Sequence, residues 1–132
     1  GGMNLAGEIS VDKMWVTEIK KFIDMDNLVS GKGFITLSKE LLRKEMTAKE
    51  AFKMDKDELI SLFVKYLSEL LTRASYFYNP KVIIFVGSLN LSSKKWLKKV
   101  KKRYLETCHP LFAAKKIYLT HINNPASIGA IL

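Results

Sequence analysis

The sequence predicts an α/β fold whose strands pair in parallel. Three features support this prediction: an amphipathic helical stretch over residues 55–78, the apolar segment VIIFV at Val82–Val86, and the segment KIYLTHI at Lys116–Ile122. A basic stretch with helical periodicity separates the two apolar segments. The order from Asp55 onward is therefore helix, strand, helix, strand and a last helix, an alternation typical of parallel sheets in α/β proteins.

The first part of the chain carries weaker signals. We expect strand or loop over residues 1–12, a weak helix over 13–24, and a loop with two glycines, NLVSGKG, at Asn27–Gly33. A short helix is predicted from about Phe34 to Lys44. It rests on apolar residues at the spacing of one helical face: Phe34, Leu37 and Leu41.

Helix start signals precede the clearest element of the sequence. Thr47 with Glu50 forms a capping-box pattern, and Asp55 with Glu58 gives a second N-terminal signal. The long helix that follows has an apolar stripe for burial against a sheet or another helix: Leu59, Phe63, Leu67, Leu70, Ala74 and Phe77. A coiled coil is the rival interpretation, but the helix ends at Asn79-Pro80 after too few heptads.

The segment Val82–Val86 is apolar on both faces, which predicts a central strand covered on both sides. Ser92 or Ser93 is expected to cap the next helix, which runs to about Thr107 and is broken by His109-Pro110. Its inward face is predicted to carry four residues: Trp96, Leu97, Val100 and Tyr104. Asn124 is expected to cap a last helix with Pro125 at its first position.

Composition narrows the class of protein. The 132 residues predict one domain, residues 1–132, and 48% hydrophobic with 27% charged residues is typical of a soluble globular protein. The longest apolar run falls far short of the ~20 residues of a membrane span, and no secretory signal is recognised, so we expect a cytoplasmic protein. Cys108 is the single cysteine, which excludes an internal disulfide and a cysteine-rich zinc site, and we interpret it as a small, partly buried apolar residue.

The net charge of +9, from 22 Lys and Arg against 13 Asp and Glu, favours polyanionic partners such as nucleic acid, nucleotide phosphates or anionic surfaces. Most of the excess lies in the basic helix, whose cations are Lys94, Lys95, Lys98, Lys99, Lys101, Lys102 and Arg103. No aromatic residue is interleaved on its charged side, because Trp96 and Tyr104 fall on the apolar stripe. We therefore interpret it as a solvated face and keep nucleic-acid binding as the less favoured alternative.

Local motifs indicate no reaction. His109 and His121 have no neighbours at ligand spacing, and the SGKG at Ser30–Gly33 is too short for a P-loop and follows no strand. No Ser/His/Asp arrangement can be argued from spacing. Composition and periodicity therefore predict a basic α/β domain and no particular chemistry.

Several segments, taken in order, carry a further signal. NLAGEIS begins at Asn4, NLVSGKGF at Asn27, NPKVIIFVGSLN at Asn79 and NNPASIGAI at Asn123. Together they resemble the C-terminal region of ROK-family sugar kinases of the glucokinase type. The corresponding family patterns are the sugar-contacting turn G-N-A-G-E-I-G-H, an SG-x-G/A loop, the strand P-x-V-I-V-x-G-G-G and a terminal A-G-x-x-G-A-A helix. The resemblance spans nearly the whole chain.

The resemblance implies one lobe of the ribonuclease-H-like, actin-like ATPase fold and transfer of the ATP γ-phosphate to a hexose hydroxyl with Mg²⁺. It assigns Glu8 to sugar binding. It assigns five residues to the neighbourhood of the nucleotide: Gly87, Ser88, Ser30, Gly31 and Gly33.

The sequence also departs from the family pattern. The glycine triplet is reduced to Gly87 followed by Ser88-Leu89, and Ser10-Val11 replaces Gly-His, so no structural zinc is expected. No D-x-G-x-T phosphate motif and no Asn-Asp pair with a catalytic base is found, so no catalytic residue is assigned. We expect a lobe that is inactive alone and needs an N-terminal lobe, a partner chain or self-association. The alternative function is a non-catalytic binding or assembly module derived from that fold.

Overall fold

The computed structural model describes residues 13–120. This part of the chain is a mixed α/β structure with one small antiparallel and one small parallel sheet. Its elements in order are β1 (Lys13–Val16), β2 (Lys21–Asp24), α1 (Met25–Leu28), α2 (Gly31–Leu42), α3 (Ala48–Lys53), α4 (Asp57–Tyr78), β3 (Val82–Phe85), a 3₁₀ segment (Ser88–Lys95), α5 (Leu97–Thr107) and β4 (Lys116–Leu119). None of these helices is both long and apolar enough to cross a membrane.

The weak helix predicted over residues 13–24 is wrong, because this stretch forms the antiparallel hairpin of β1 and β2. Met14 and Val16 point into the core, whereas Trp15 pairs with Phe22 on the exposed face, with ring centroids 5.0 Å apart. This alternation has the period of a strand. With only four residues in each strand, it is too short to stand out in the sequence.

The loop predicted at Asn27–Gly33 is also wrong for most of its length. The single turn α1 ends at Leu28, and α2 begins at Gly31, three residues before the predicted helix start at Phe34. Both glycines therefore lie in the first turn of α2. Phe34 and Leu37 are buried as the periodicity predicted.

The capping box is confirmed at the start of α3. The Thr47 hydroxyl accepts a bond from the Glu50 amide at 3.2 Å, and the Thr47 amide donates to Glu50 Oε1 at 3.2 Å. The two bonds provide acceptors for the backbone N–H groups of Thr47 and Glu50, which stabilises a helix of only six residues. The start signal at Asp55 is displaced, because α4 begins at Asp57 and no side chain caps it.

The long helix α4 is the centre of the fold, as the apolar stripe predicted. It packs along α5 and also against α1, α2 and α3. Its C-terminal residue Tyr78 is followed by Asn79 in the left-handed region, with φ 47°, whose amide bonds Ser75 O at 2.8 Å. Asparagine tolerates this conformation, and Pro80 cannot continue the helix, so the predicted end is confirmed.

The predicted strand, helix, strand order is confirmed, because β3 and β4 pair in parallel with α5 between them. Within residues 13–120, the predicted coverage of β3 is found on one face only. Ile83 and Phe85 are buried on the core face, whereas Val82 is 36% exposed and Tyr118 on β4 is 48% exposed. Within residues 13–120 the parallel sheet has two strands, so its other face and both outer edges carry no further strand.

The helix after β3 starts differently from the prediction. Ser92 and Ser93 lie inside the 3₁₀ segment, and α5 begins after Trp96, whose Nε1 donates to Leu89 O at 3.0 Å. The large indole ring is buried against Phe85, with ring centroids 5.4 Å apart, directly before the first residue of α5. Val100 and Tyr104 are buried as predicted and Leu97 is half-buried. Cys108, predicted to be partly buried, is only 3% exposed. The buried side chains of the hairpin, the helices and β3 form one continuous core.

Candidate functional site

The carboxyl ends of β3 and β4 lie side by side and form the edge that holds Gly87. Gly87 adopts φ 140° and ψ 175°, a combination of backbone angles that residues with a Cβ rarely adopt. Glycine is therefore required here by the backbone, whether or not a ligand binds. In parallel sheets, ligands commonly bind outside the carboxyl ends of the strands, and a residue without a side chain lets backbone amides approach them.

Asn90 fastens this turn to both strands. Its amide Nδ2 donates to Phe85 O at 2.7 Å and to Thr120 O at 2.9 Å, and its backbone amide bonds Gly87 O at 3.2 Å. The side chain is only 4% exposed. Sequence reasoning gave Asn90 no role, although an asparagine between two leucines after a turn glycine was a usable signal.

The three predicted site residues of the SGKG segment, Ser30, Gly31 and Gly33, have different structural roles. Ser30 precedes α2, but its hydroxyl donates to Asn27 O at 2.9 Å and does not cap the helix. A Cβ added at Gly33 would lie 2.1 Å from Leu28 O, so Gly33 serves the packing of α1 against α2. Among the described residues, a Cβ added at Gly31 would meet nothing within 4 Å, so none of them blocks the start of α2.

A small pocket lies between the residues that precede the two predicted regions. Its volume is about 10 Å³, room for about one water molecule. Val29, which precedes Ser30, and Val86, which precedes Gly87, both line it; the other lining residues are Phe63, Leu67, Phe85, Leu89, Asn90 and Trp96. Ligand pockets usually enclose roughly 300–1,000 Å³. The pocket is therefore too small to enclose a nucleotide, which would have to lie across its opening.

The remaining predicted site residues are only partly placed. Glu8 and the segment that begins at Asn123 lie outside the described residues. Ser88 is the first residue of the 3₁₀ segment. In residues 13–120, no group of three or more His, Cys, Asp and Glu side chains is arranged to hold a metal ion.

The basic residues from Lys94 to Arg103 follow the Gly87 turn in sequence, in the 3₁₀ segment and in α5. Lys95 pairs with Asp55 at 2.5 Å. An open groove at the start of α5, with a volume of about 290 Å³, is lined by Ser93, Lys94, Leu97, Lys98 and Lys101. Trp96 and Tyr104 are buried, so neither offers a ring for base stacking.

The pKa shifts of Glu18 and Tyr66 arise from one structural contact. Tyr66 donates to Glu18 Oε1 at 2.5 Å, and Lys65 Nζ lies 2.9 Å from Glu18 Oε2. Partial burial acts to raise the pKa of Glu18, but the bonds from Tyr66 and Lys65 outweigh it, and the pKa falls below its ordinary value of 4.5. Burial, followed by the Glu18 carboxylate, raises the pKa of Tyr66. These groups fasten the β1–β2 turn to α4 and form no catalytic pair.

No protein-family model matches this chain, and no curated protein matches it. The chemistry of the edge around Gly87 therefore has to be inferred from its geometry and from the motifs in the sequence.

Proposed function

We propose that this chain is the C-terminal, nucleotide-side lobe of a ROK-type, glucokinase-like sugar kinase and is inactive alone. In the complete protein the γ-phosphate of ATP would pass to a hexose hydroxyl. This lobe would bind the nucleotide with its backbone, and a second lobe would supply the catalytic base and the phosphate motif.

The conformation of Gly87 is the observation that carries the proposal. A glycine with φ 140° stands between a parallel strand and a short helical segment, at the carboxyl edge of the sheet. On the other side of the small pocket lies the approach to α2, whose first residue, Gly31, has no described residue within 4 Å of an added Cβ. The Gly87 turn and the start of α2 would then offer backbone amides to a nucleotide that lies across the crevice.

The charges of the described residues fit a phosphate ligand but provide no metal site. Lys32 lies in the first turn of α2 and is exposed. Since no cluster of carboxylates occurs in residues 13–120, Mg²⁺ would arrive bound to the phosphates of its substrate. The role of this lobe is then to position the nucleotide.

Calorimetry with ATP–Mg²⁺ tests the nucleotide site. We expect the wild-type chain to bind, and the Gly87→Ala variant to lose roughly 5- to 150-fold in affinity, because Ala is strained by roughly 1–3 kcal/mol at this φ and binding must restore that conformation. The Glu18→Gln variant is the control, since Glu18 lies in the hairpin turn and fastens it to α4. Equal affinities of wild type and Gly87→Ala would contradict the assignment of this turn.

Complementation tests the kinase. The chain is mixed with the separately expressed N-terminal lobe of a ROK-family glucokinase, and ATP-dependent hexose phosphorylation is measured. Activity in the mixture but in neither part alone is the expected result. If the two parts neither bind each other nor phosphorylate a hexose, the kinase proposal fails.

The exposed face of the parallel sheet favours a second candidate, an assembly module. Val82 and Tyr118 are exposed on that face, and no strand in residues 13–120 pairs with the outer edges. Parallel sheets are almost always covered on both faces, so a partner chain or a second copy would complete it. Association in sedimentation experiments without any ATP binding would favour this candidate over the kinase lobe.

A further inference from the structure

We propose that the Asn90 side chain is the positioning residue of the Gly87 turn, and that it aligns the turn for a ligand before the ligand arrives. The ligand part of this inference rests on the proposed nucleotide function. The clasp itself, meaning the bonds from Asn90 to Phe85, Thr120 and Gly87, is a separate claim about the turn.

The two acceptors determine how the amide is oriented. Phe85 O and Thr120 O are both carbonyl oxygens, so the nitrogen of the Asn90 amide must face them. The amide therefore spans the carboxyl ends of β3 and β4. Phe85 O also accepts the backbone amide of Thr120 at 3.1 Å, so the strand pairing and the clasp share one acceptor.

The turn is tied at both ends. Asn90 closes it with its own backbone bond to Gly87 O, and the Trp96 indole holds Leu89 O. Few rotations remain open to residues 87–90 once these bonds are made. A ligand that binds such a turn does not have to order it, and this saves conformational entropy.

The other atom of the amide remains available. Among the described residues nothing donates to Asn90 Oδ1, and this atom is not sealed from solvent, because no side-chain nitrogen or oxygen is both fully buried and unbonded. Asn90 lines the small pocket together with Val29 and Val86. The residue that holds the turn thus also lines the pocket.

The experiment combines hydrogen exchange with nucleotide binding. Asn90→Ala removes the clasp, and Ser38→Ala is the matched control, because the buried Ser38 hydroxyl similarly bonds the Met46 amide at 2.8 Å, away from this edge. In Asn90→Ala we expect the protection factors of the amides at positions 90 and 120 to fall about tenfold more than in Ser38→Ala. We expect ATP affinity to fall by a similar factor.

A second variant keeps the test informative if Asn90→Ala unfolds. Asn90→Asp has the same size but no N–H group, and its carboxylate would face two carbonyl oxygens. On acidification the protonated carboxyl can donate one bond, so protection at position 120 should partly return, whereas the Ser38→Ala variant should show no such recovery.

Each outcome decides a different claim. If the amides at positions 90 and 120 lose no more protection in Asn90→Ala than in Ser38→Ala, the clasp is overturned whatever the nucleotide does. Loss of protection with unchanged ATP affinity overturns the positioning role in binding. Absence of ATP binding to the wild-type chain refutes the proposed function, while the protection factors still decide the clasp.

Discussion

A Cβ added at Gly33 would lie 2.1 Å from the carbonyl oxygen of Leu28, closer than any real Cβ contact. The obstacle is backbone and cannot rotate away as a side chain could. A Cβ added at Gly31, two residues earlier in the same helical turn, would meet none of residues 13–120 within 4 Å. A side chain at Gly33 would therefore require the backbone to shift, whereas one at Gly31 would not.

Substitution of these glycines should shift stability in opposite directions. Gly33→Ala should lower the free energy of unfolding by at least about 1–3 kcal/mol, because α1 and α2 must move apart. Gly31→Ala should raise it by about 0.4–1 kcal/mol, because it restricts the unfolded chain at a position without positive φ. Urea denaturation of both variants measures the difference, and equal midpoints would be incompatible with this packing.

The Thr47→Ala variant should lose the capping box of α3. We expect the free energy of unfolding to fall by about 0.5–2 kcal/mol, because the Glu50 amide loses its acceptor. Thr47→Ser is the control, since it keeps the hydroxyl, and it should remain close to wild type. Thermal unfolding monitored by circular dichroism is sufficient to compare them.

The Tyr104→Phe variant should destabilise the packing of α5. The buried Tyr104 hydroxyl bonds Ser75 Oγ and accepts the Ala114 amide at 2.7 Å. Removing it leaves the buried Ala114 N–H without this acceptor, at a cost of about 1–3 kcal/mol. Ser75→Ala is the comparison, because it leaves the Ala114 bond in place and should cost less. The prediction is wrong if both variants have the same urea midpoint.

The Glu18→Gln variant should show a pH-dependent loss of stability. The pKa of Glu18 is lowered in the folded state, so its carboxylate stabilises the fold above the ordinary pKa of 4.5, and this contribution is lost as pH falls through the lower folded value. At neutral pH we expect Glu18→Gln to cost about 1 kcal/mol, because the charged bonds to Tyr66 and Lys65 weaken.

The difference between Glu18→Gln and wild type should shrink towards zero when the carboxyl of the wild-type protein is protonated. Glu69→Gln is the control, because Glu69 forms an exposed pair with Arg73 one helical turn away. Such pairs contribute only about 0.3–0.5 kcal/mol. A Glu18→Gln effect that stays constant from neutral pH to below 4.5 would contradict the lowered pKa.

Elements with long or chemically distinctive patterns were predictable from the sequence. The apolar stripe of α4, the reciprocal pair Thr47 and Glu50, and the parallel pairing across α5 all follow from local rules of periodicity and capping. The hairpin of β1 and β2 was missed, because its alternation spans only four residues in each strand. Short strands acquire their identity from the pairing itself.

The candidate site, like the fold, could be predicted from the sequence only in part. The sequence alone determined that a glycine follows an apolar strand and that SGKG precedes a helical pattern, because these are neighbours along the chain. Only the tertiary structure decided that Gly33 packs against Leu28, that β3 is covered on one face within residues 13–120, and that Asn90 joins Phe85 to Thr120. The physical reason is distance along the chain: Asn90 bonds a residue thirty positions away, and no local pattern encodes which carbonyl its amide will meet.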